Sequence, residues 1–165
     1  VHQTLSPAMD IQVASNFERF LYYHFEQDSD SLVRFMQEFA ANGAVSIGAP
    51  PDTQSMSSVA VNRKDTLAAM QEVHKQYGYV LDPHTAVGYH AARNHLNQQM
   101  ESTDVFVVAT AHPAKFPEAV KQATGGEPTH PTLEALKGLP MRRQALPCDI
   151  DAVKAYLVEQ LRSQP

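Results

Sequence analysis

The run Val105-Phe106-Val107-Val108-Ala109-Thr110-Ala111-His112-Pro113 sets the expected fold class. Four consecutive β-branched or aromatic residues suit a strand covered on both faces, and a strand buried on both sides belongs to a parallel sheet. Thr110 falls at the C-terminal end of that strand. Pro113 then opens a helix expected to run to about Ala123, where Gly125-Gly126 stops it. Strand, short turn and helix in this order define an α/β arrangement. In open α/β sheets ligands collect beyond the carboxyl ends of the strands, at helix N-termini, so the turn from Thr110 to Pro113 is a candidate binding element. A threonine hydroxyl can exchange one hydrogen bond with a ring nitrogen without imposing the charge a carboxylate would. Capping the following helix is the other use open to the same hydroxyl.

Working outward, the remaining chain is dominated by helical spacing. Ser15 and Glu18 have the spacing of a capping box, and Phe17, Phe20, Leu21 and Phe25 follow on one face. Leu32, Phe35, Met36 and Phe39 mark a second helix, closed by Asn42-Gly43. Between Ala44 and Val61, Ser, Gly and Pro accumulate, which predicts an irregular connection with one or two short strands at most. Asn62 caps a helix to about Tyr77, with Asp65 at the capping-box position, Leu67, Met70, Val73 and His74 on one side, and Gly78 as its stop. Asp82-Pro83 supplies an N-cap and an N1 proline for a helix to about Leu96, whose Val87, Ala91 and Ala92 permit close packing. Beyond Pro131 we expect a short helix around Leu133 to Leu136 and an extended edge segment from Leu139 to Leu146. A last helix starts at Asp149, with Ile150, Val153, Tyr156, Leu157 and Leu161 facing inward. These features divide the chain into a helical segment over 1–43, an irregular connection over 44–63 and an α/β portion over 64–165.

Composition narrows the function. Of the 165 residues 43% are hydrophobic and 19% charged, which is globular, and the longest apolar run, Val105 to Ala109, is too short to span a bilayer. A formal charge of −5, with Arg63-Lys64 and Arg142-Arg143 as the adjacent basic pairs, gives no footprint for nucleic acid. The single cysteine, Cys148, has no internal partner, as is common in cytoplasmic proteins, and we read it as unreactive. The opening at Val1, without a methionine or a secretion signal, suggests a portion of a longer protein. The few strands legible here are too few to complete a parallel sheet.

Three blocks resemble the C-terminal motifs of threonine synthases, in that family's order. They are Thr4-Leu5-Ser6-Pro7-Ala8-Met9-Asp10-Ile11 with Ser15-Asn16-Phe17-Glu18-Arg19, then Leu81-Asp82-Pro83-His84-Thr85-Ala86-Val87-Gly88, then Ala109-Thr110-Ala111-His112-Pro113-Ala114-Lys115-Phe116. The resemblance covers the first 116 residues, and the tail fits in pattern only. It implies part of a fold-type-II, tryptophan-synthase-β-like three-layer αβα fold, here a helix-rich portion with few parallel strands. It also implies a pyridoxal 5'-phosphate enzyme converting O-phospho-homoserine and water to threonine and phosphate in the cytoplasm. Thr110 matches the family position whose hydroxyl meets the pyridine nitrogen. Lys115, His112, His84, Asn16 and Arg19 would lie in the substrate or phosphate vicinity, and Asp82 and Asp10 would serve structure. The family's Schiff-base lysine and its cofactor-phosphate loop should lie upstream of the first block. Lys64, Lys75, Lys115, Lys121, Lys137 and Lys154 match neither. The implied partner is therefore a missing N-terminal part of the same protein, and this chain alone should be inactive.

Two other readings are open. Eight histidines raise a metal site built from His84, His90, His95 and His112 with Asp82. The spacings of six and five between successive helical histidines, however, point the rings in different directions, and zinc pairs favour four. The other is a non-catalytic docking module, or a synthase-like homologue acting on a different phosphoamino acid.

Overall fold

The computed structural model describes residues 2–11, 13–47, 57–98, 104–141 and 143–162, which form two compact units, Val1–His130 and Pro131–Pro165. In the first unit, α1 (Ser15–His24) and α2 (Ser29–Asn42) pack on each other, with the Phe25 and Phe35 rings 5.5 Å apart. Phe17, Leu21, Met36 and Phe39 line a small apolar pocket of about 140 Å³ between them. The core of the unit lies elsewhere, where α3 (Arg63–Tyr77) meets both α4 (Pro83–Leu96) and α5 (Pro117–Thr124). Ala69, Met70 and Val73 of α3 are buried there against Leu81, Ala86, Ala119, Val120 and Ala123. Alanines on all three helices let the backbones approach closely, and fully buried Met70 contributes about 1.5–3 kcal/mol by leaving water. On the outer side of the α3–α4 contact, Glu72 pairs with Arg93 and accepts from the Tyr89 hydroxyl at 3.4 Å.

Helix ends follow local chemistry. The Asn62 side chain accepts from the Asp65 N–H at 2.9 Å, and α3 ends at Gly78 with φ of 66°, a left-handed conformation that costs a residue with a Cβ. Gly43 and Gly125 close α2 and α5 in the same way. Two boundaries differ from expectation. Ser15 is the first helical residue of α1 and Ala14 is the cap, without a side-chain bond, so the capping box does not form. The helix expected from Pro113 is broken into a 3-10 turn, Pro113–Lys115, and α5. Phe116 takes φ −131° and ψ 55° between them, because a residue preceding proline is disfavoured in the helical region.

The strand expected at Val105–Val108 is not confirmed. The segment has no regular assignment, and no residue among those described joins a β ladder. Phe106 and Val108 are 91% and 75% exposed, whereas Val105 and Val107 are about half as exposed, at 39% and 36%. This alternation keeps a strand's period of two, and Val107 lies over α4 at Gly88, where an added Cβ would sit 3.3 Å from its Cγ1. The residues have strand character, but a strand exists only through neighbours that take its backbone N–H and C=O groups. The connection expected over 44–63 is irregular up to Asn62 where described, Arg63 already belonging to α3, and residues 48–56 lie outside the described set.

The second unit holds α6 (Pro131–Leu136) and α7 (Ile150–Arg162), with Asp149 Oδ1 accepting from the Ala152 N–H at 2.7 Å. Ile150, Val153, Leu157 and Leu161, expected inside, range from 36% to 71% exposed, since among the described residues of this unit none is buried to form a core. The 139–146 segment is likewise exposed and outside any ladder, with Arg142 beyond the described residues. Among the described residues no helix is long and apolar enough to cross a membrane.

Candidate functional site

Asp82 is the organising residue of the site region. It is 1% exposed at the N-terminus of α4, where unpaired backbone N–H groups and the helix dipole favour a carboxylate. Oδ1 accepts from the N–H of His84 at 2.9 Å and of Thr85 at 3.4 Å, and Oδ2 accepts from the Thr85 hydroxyl. The His84 ring turns back so that its Nδ1 also meets Oδ1, at 3.0 Å. A carboxylate receiving this many donors needs no counter-cation to tolerate burial.

A second polar knot lies in the first sequence block. The turn Pro7–Met9 is pinned by Asp10, whose Oδ1 accepts from the Thr4 hydroxyl at 2.6 Å and whose Oδ2 accepts from the Thr4 N–H at 2.7 Å. The Thr4 oxygen in turn accepts from the Ser6 N–H at 3.1 Å. Of these donors the Thr4 hydroxyl, followed by the Thr4 N–H, holds the Asp10 carboxyl below its ordinary value. Because the folded value is the lower one, this knot stabilises the turn above the ordinary aspartate range and loses its contribution as pH falls through the lowered value. In Thr4→Val the Asp10 titration, followed through its carboxyl carbon by NMR, shifts upward towards the ordinary value; an unchanged midpoint would show that the hydroxyl is not the cause.

Thr4, Ser6 and Asp10 line an open cleft of about 780 Å³ together with Asn62, Arg63 and Val87 of α4. Arg63 is tethered by a 2.8 Å bond from its Nη2 to Gln122 of α5. Thr110, His112 and Lys115 are not among the walls of this cleft.

The third block follows the exposed strand-like segment. Thr110 is exposed, and its side chain makes no hydrogen bond among the described residues. His112, rather than Thr110, caps the following turn: its Nδ1 accepts from the Ala114 N–H at 3.1 Å, and its ring meets that of His130 edge-on at 4.7 Å. Lys115 ends the turn, exposed, two residues before α5. Phe116 reaches back, its ring 4.7 Å from that of His84. Asn16 and Arg19 lie exposed on α1, and no hydrogen bond or ion pair among the described residues joins them to His84, Thr110 or His112.

The structure thus unites the three blocks through His84, while Asn16 and Arg19 remain apart. Sequence reasoning missed Thr4, Ser6 and Thr85 as polar partners. The signal for Thr85 was its place three residues after an N-cap aspartate; nothing in local spacing announced the Thr4–Asp10 pairing. Among the described residues no group of three or more His, Cys, Asp or Glu side chains could hold a metal ion.

Comparison with known proteins places the same residues in context. A family model described as threonine synthase, C-terminal, matches residues 85–157. A threonine synthase from Pseudomonas aeruginosa is 35% identical over 164 residues, covering 95% of this chain and 34% of its own length. One from Methylobacillus glycogenes is 34% identical over 169 residues, covering 97% of this chain and 34% of its own. A crystal structure of a PLP-bound threonine synthase from Brucella melitensis superposes with a TM-score of 0.81 at 35% identity, over 99% of this chain and 35% of that one. The chain therefore spans about a third of the length of the relatives it matches.

Proposed function

Because this chain belongs to the threonine synthase family, as a C-terminal portion of it, we propose that it forms one wall of the active site of a pyridoxal-phosphate-dependent lyase. The reaction is the conversion of O-phospho-homoserine and water to threonine and phosphate. The observation that carries this reading is the exposed Thr110 hydroxyl, which no side chain or backbone group of the described residues engages. The residues present fit one edge of the cofactor: a neutral hydroxyl for a ring nitrogen, with no carboxylate in hydrogen-bond contact with it. When bound, the cofactor supplies an electron sink for charge developing at the substrate's Cα.

Thr110 would hold the ring edge and, being neutral, would leave the ring nitrogen without the full proton a carboxylate would stabilise. His112, with Nδ1 engaged by the Ala114 N–H, carries its proton on Nε2 when neutral and presents a donor there. Lys115 offers an ammonium to the phosphate side, one short turn beyond Thr110. We assign Asn16 and Arg19 to the same anionic substrate from α1, and His84 to the support of these elements. The Schiff-base lysine and the cofactor-phosphate loop belong to the other two thirds of the relatives' length, so the chain by itself does not turn over. The segment 105–108 offers its exposed face and unpaired backbone to a strand from that part, which completes the sheet.

Mixing the chain with pyridoxal phosphate, reducing with borohydride and weighing the intact protein tests this directly, alongside a protein spanning the relatives' whole length. The longer protein gains one cofactor mass and the 165-residue chain gains none. Stoichiometric labelling of the chain at one of its own lysines would overturn the assignment.

A further inference from the structure

His84 is 6% exposed and sits where all three sequence blocks meet. Its Nδ1 faces the Asp82 carboxylate at 3.0 Å. Its Nε2 faces the backbone N–H of Ala8 at 3.3 Å, a residue 76 positions earlier in the chain. Its ring lies 4.7 Å from Phe116, which closes the Thr110 block. These partners leave the ring no choice of protonation. A carboxylate already taking three other donors can only accept, so Nδ1 must donate; a backbone N–H can only donate, so Nε2 must accept. The imidazole is therefore neutral with its proton on Nδ1. A helix cap requires only Asp82, and packing requires only a ring-sized apolar group; neither explains an acceptor aimed at Ala8.

We propose that His84 is a positioning residue: in this single tautomer it clasps the Thr4–Asp10 turn to the N-terminus of α4 and seats Phe116, and so sets where the Thr110 hydroxyl is presented. The purpose of the clasp rests on the reading of Thr110 above; the clasp itself does not. The same turn forms the Thr4–Asp10 wall of the 780 Å³ cleft, so one ring governs both the placement of Thr110 and the shape of that cleft. Few other side chains could do this. Asparagine reaches only the Nδ1 position and glutamine only the Nε2 position, so each reproduces half of the clasp.

That division is the experiment. In the 165-residue chain, His84→Asn keeps a donor for Asp82 but leaves the Ala8 N–H without an acceptor, and His84→Gln does the reverse. Hydrogen exchange at the Ala8 amide should become about tenfold faster in His84→Asn, as expected for one lost hydrogen bond, and stay within about threefold of wild type in His84→Gln. The Thr110 and Phe116 amide resonances should move in both variants, since both remove the ring from Phe116. Equal exchange at Ala8 in the two variants, or unmoved Thr110 resonances, overturns the proposal. Should both variants fail to fold, the imidazole nitrogen spectrum of the wild-type chain decides: a proton on Nδ1 supports the clasp and one on Nε2 refutes it. None of these measurements uses the cofactor. Failure of the protein to bind pyridoxal phosphate would thus remove the functional reading without touching this result.

Discussion

Asp82→Ala lowers the stability of the first unit by about 3 kcal/mol or more, because three kinds of buried donor lose their acceptor at once. The helix loses its N-cap, an effect of about 0.5–2 kcal/mol, and the Thr85 hydroxyl and His84 Nδ1–H are left facing an apolar methyl in a region closed to water. Asp82→Asn is milder. Its Oδ1 still accepts from the helix N–H groups, and the Thr85 hydroxyl can reverse its role and accept from the amide, so a loss of about 1 kcal/mol is expected. Urea unfolding of the chain, read by helical circular dichroism, separates the two variants. An alanine variant within about 1 kcal/mol of wild type would mean that the buried donors find other partners and that Asp82 is not the organising residue.

In a protein spanning the whole length of the relatives, Thr110→Val reduces cofactor affinity and turnover by about tenfold to a hundredfold, the scale of one hydrogen bond to a partly charged group in a site closed to water. Valine matches threonine in shape but has no hydroxyl, so folding is untouched: Thr110 is exposed, and its side chain makes no hydrogen bond among the described residues. Thr110→Ser restores most of the activity. The visible absorption of the bound cofactor should shift in the valine variant and return in the serine variant, because the band reports the electronic state of the ring. Full activity in Thr110→Val would dissociate this hydroxyl from the ring nitrogen and leave the strand-end turn without a chemical role.

Much of the architecture was legible because helix boundaries are local events. Asn62 and Gly78, Asp82 and Pro83, Asn42 and Gly43 each mark a helix end through the conformation or hydrogen bond that one residue prefers, and such preferences hold in almost any context. Two boundaries differ from expectation for equally local reasons. Ser15 competes with Ala14 for the cap at the start of α1, and Pro117 expels Phe116 from the helical region. The Val105–Val108 run has the residue types of a strand, yet among the described residues it forms no ladder. Strand preference describes what a segment does beside other strands, and among the described residues none stands beside it. Ile150, Leu157 and Leu161 repeat the lesson in α7, where helical spacing is real but burial depends on what the helix meets.

The amino-acid order alone determined where most of the helices start and stop, that Thr110 and His112 share one turn, and which blocks carry the family resemblance. Each of these depends on residues within a few positions of one another. Tertiary structure alone decided that His84 touches Ala8 and Phe116, that Val107 presses on Gly88, and that the cap at Pro113 is His112 rather than Thr110. The first two join residues distant in the chain, and the third is a competition between nearby side chains that only the folded geometry resolves. No local preference encodes a contact across 76 positions; it arises where Leu5 packs against the α3–α4–α5 core and the Pro7–Met9 turn meets the N-terminus of α4.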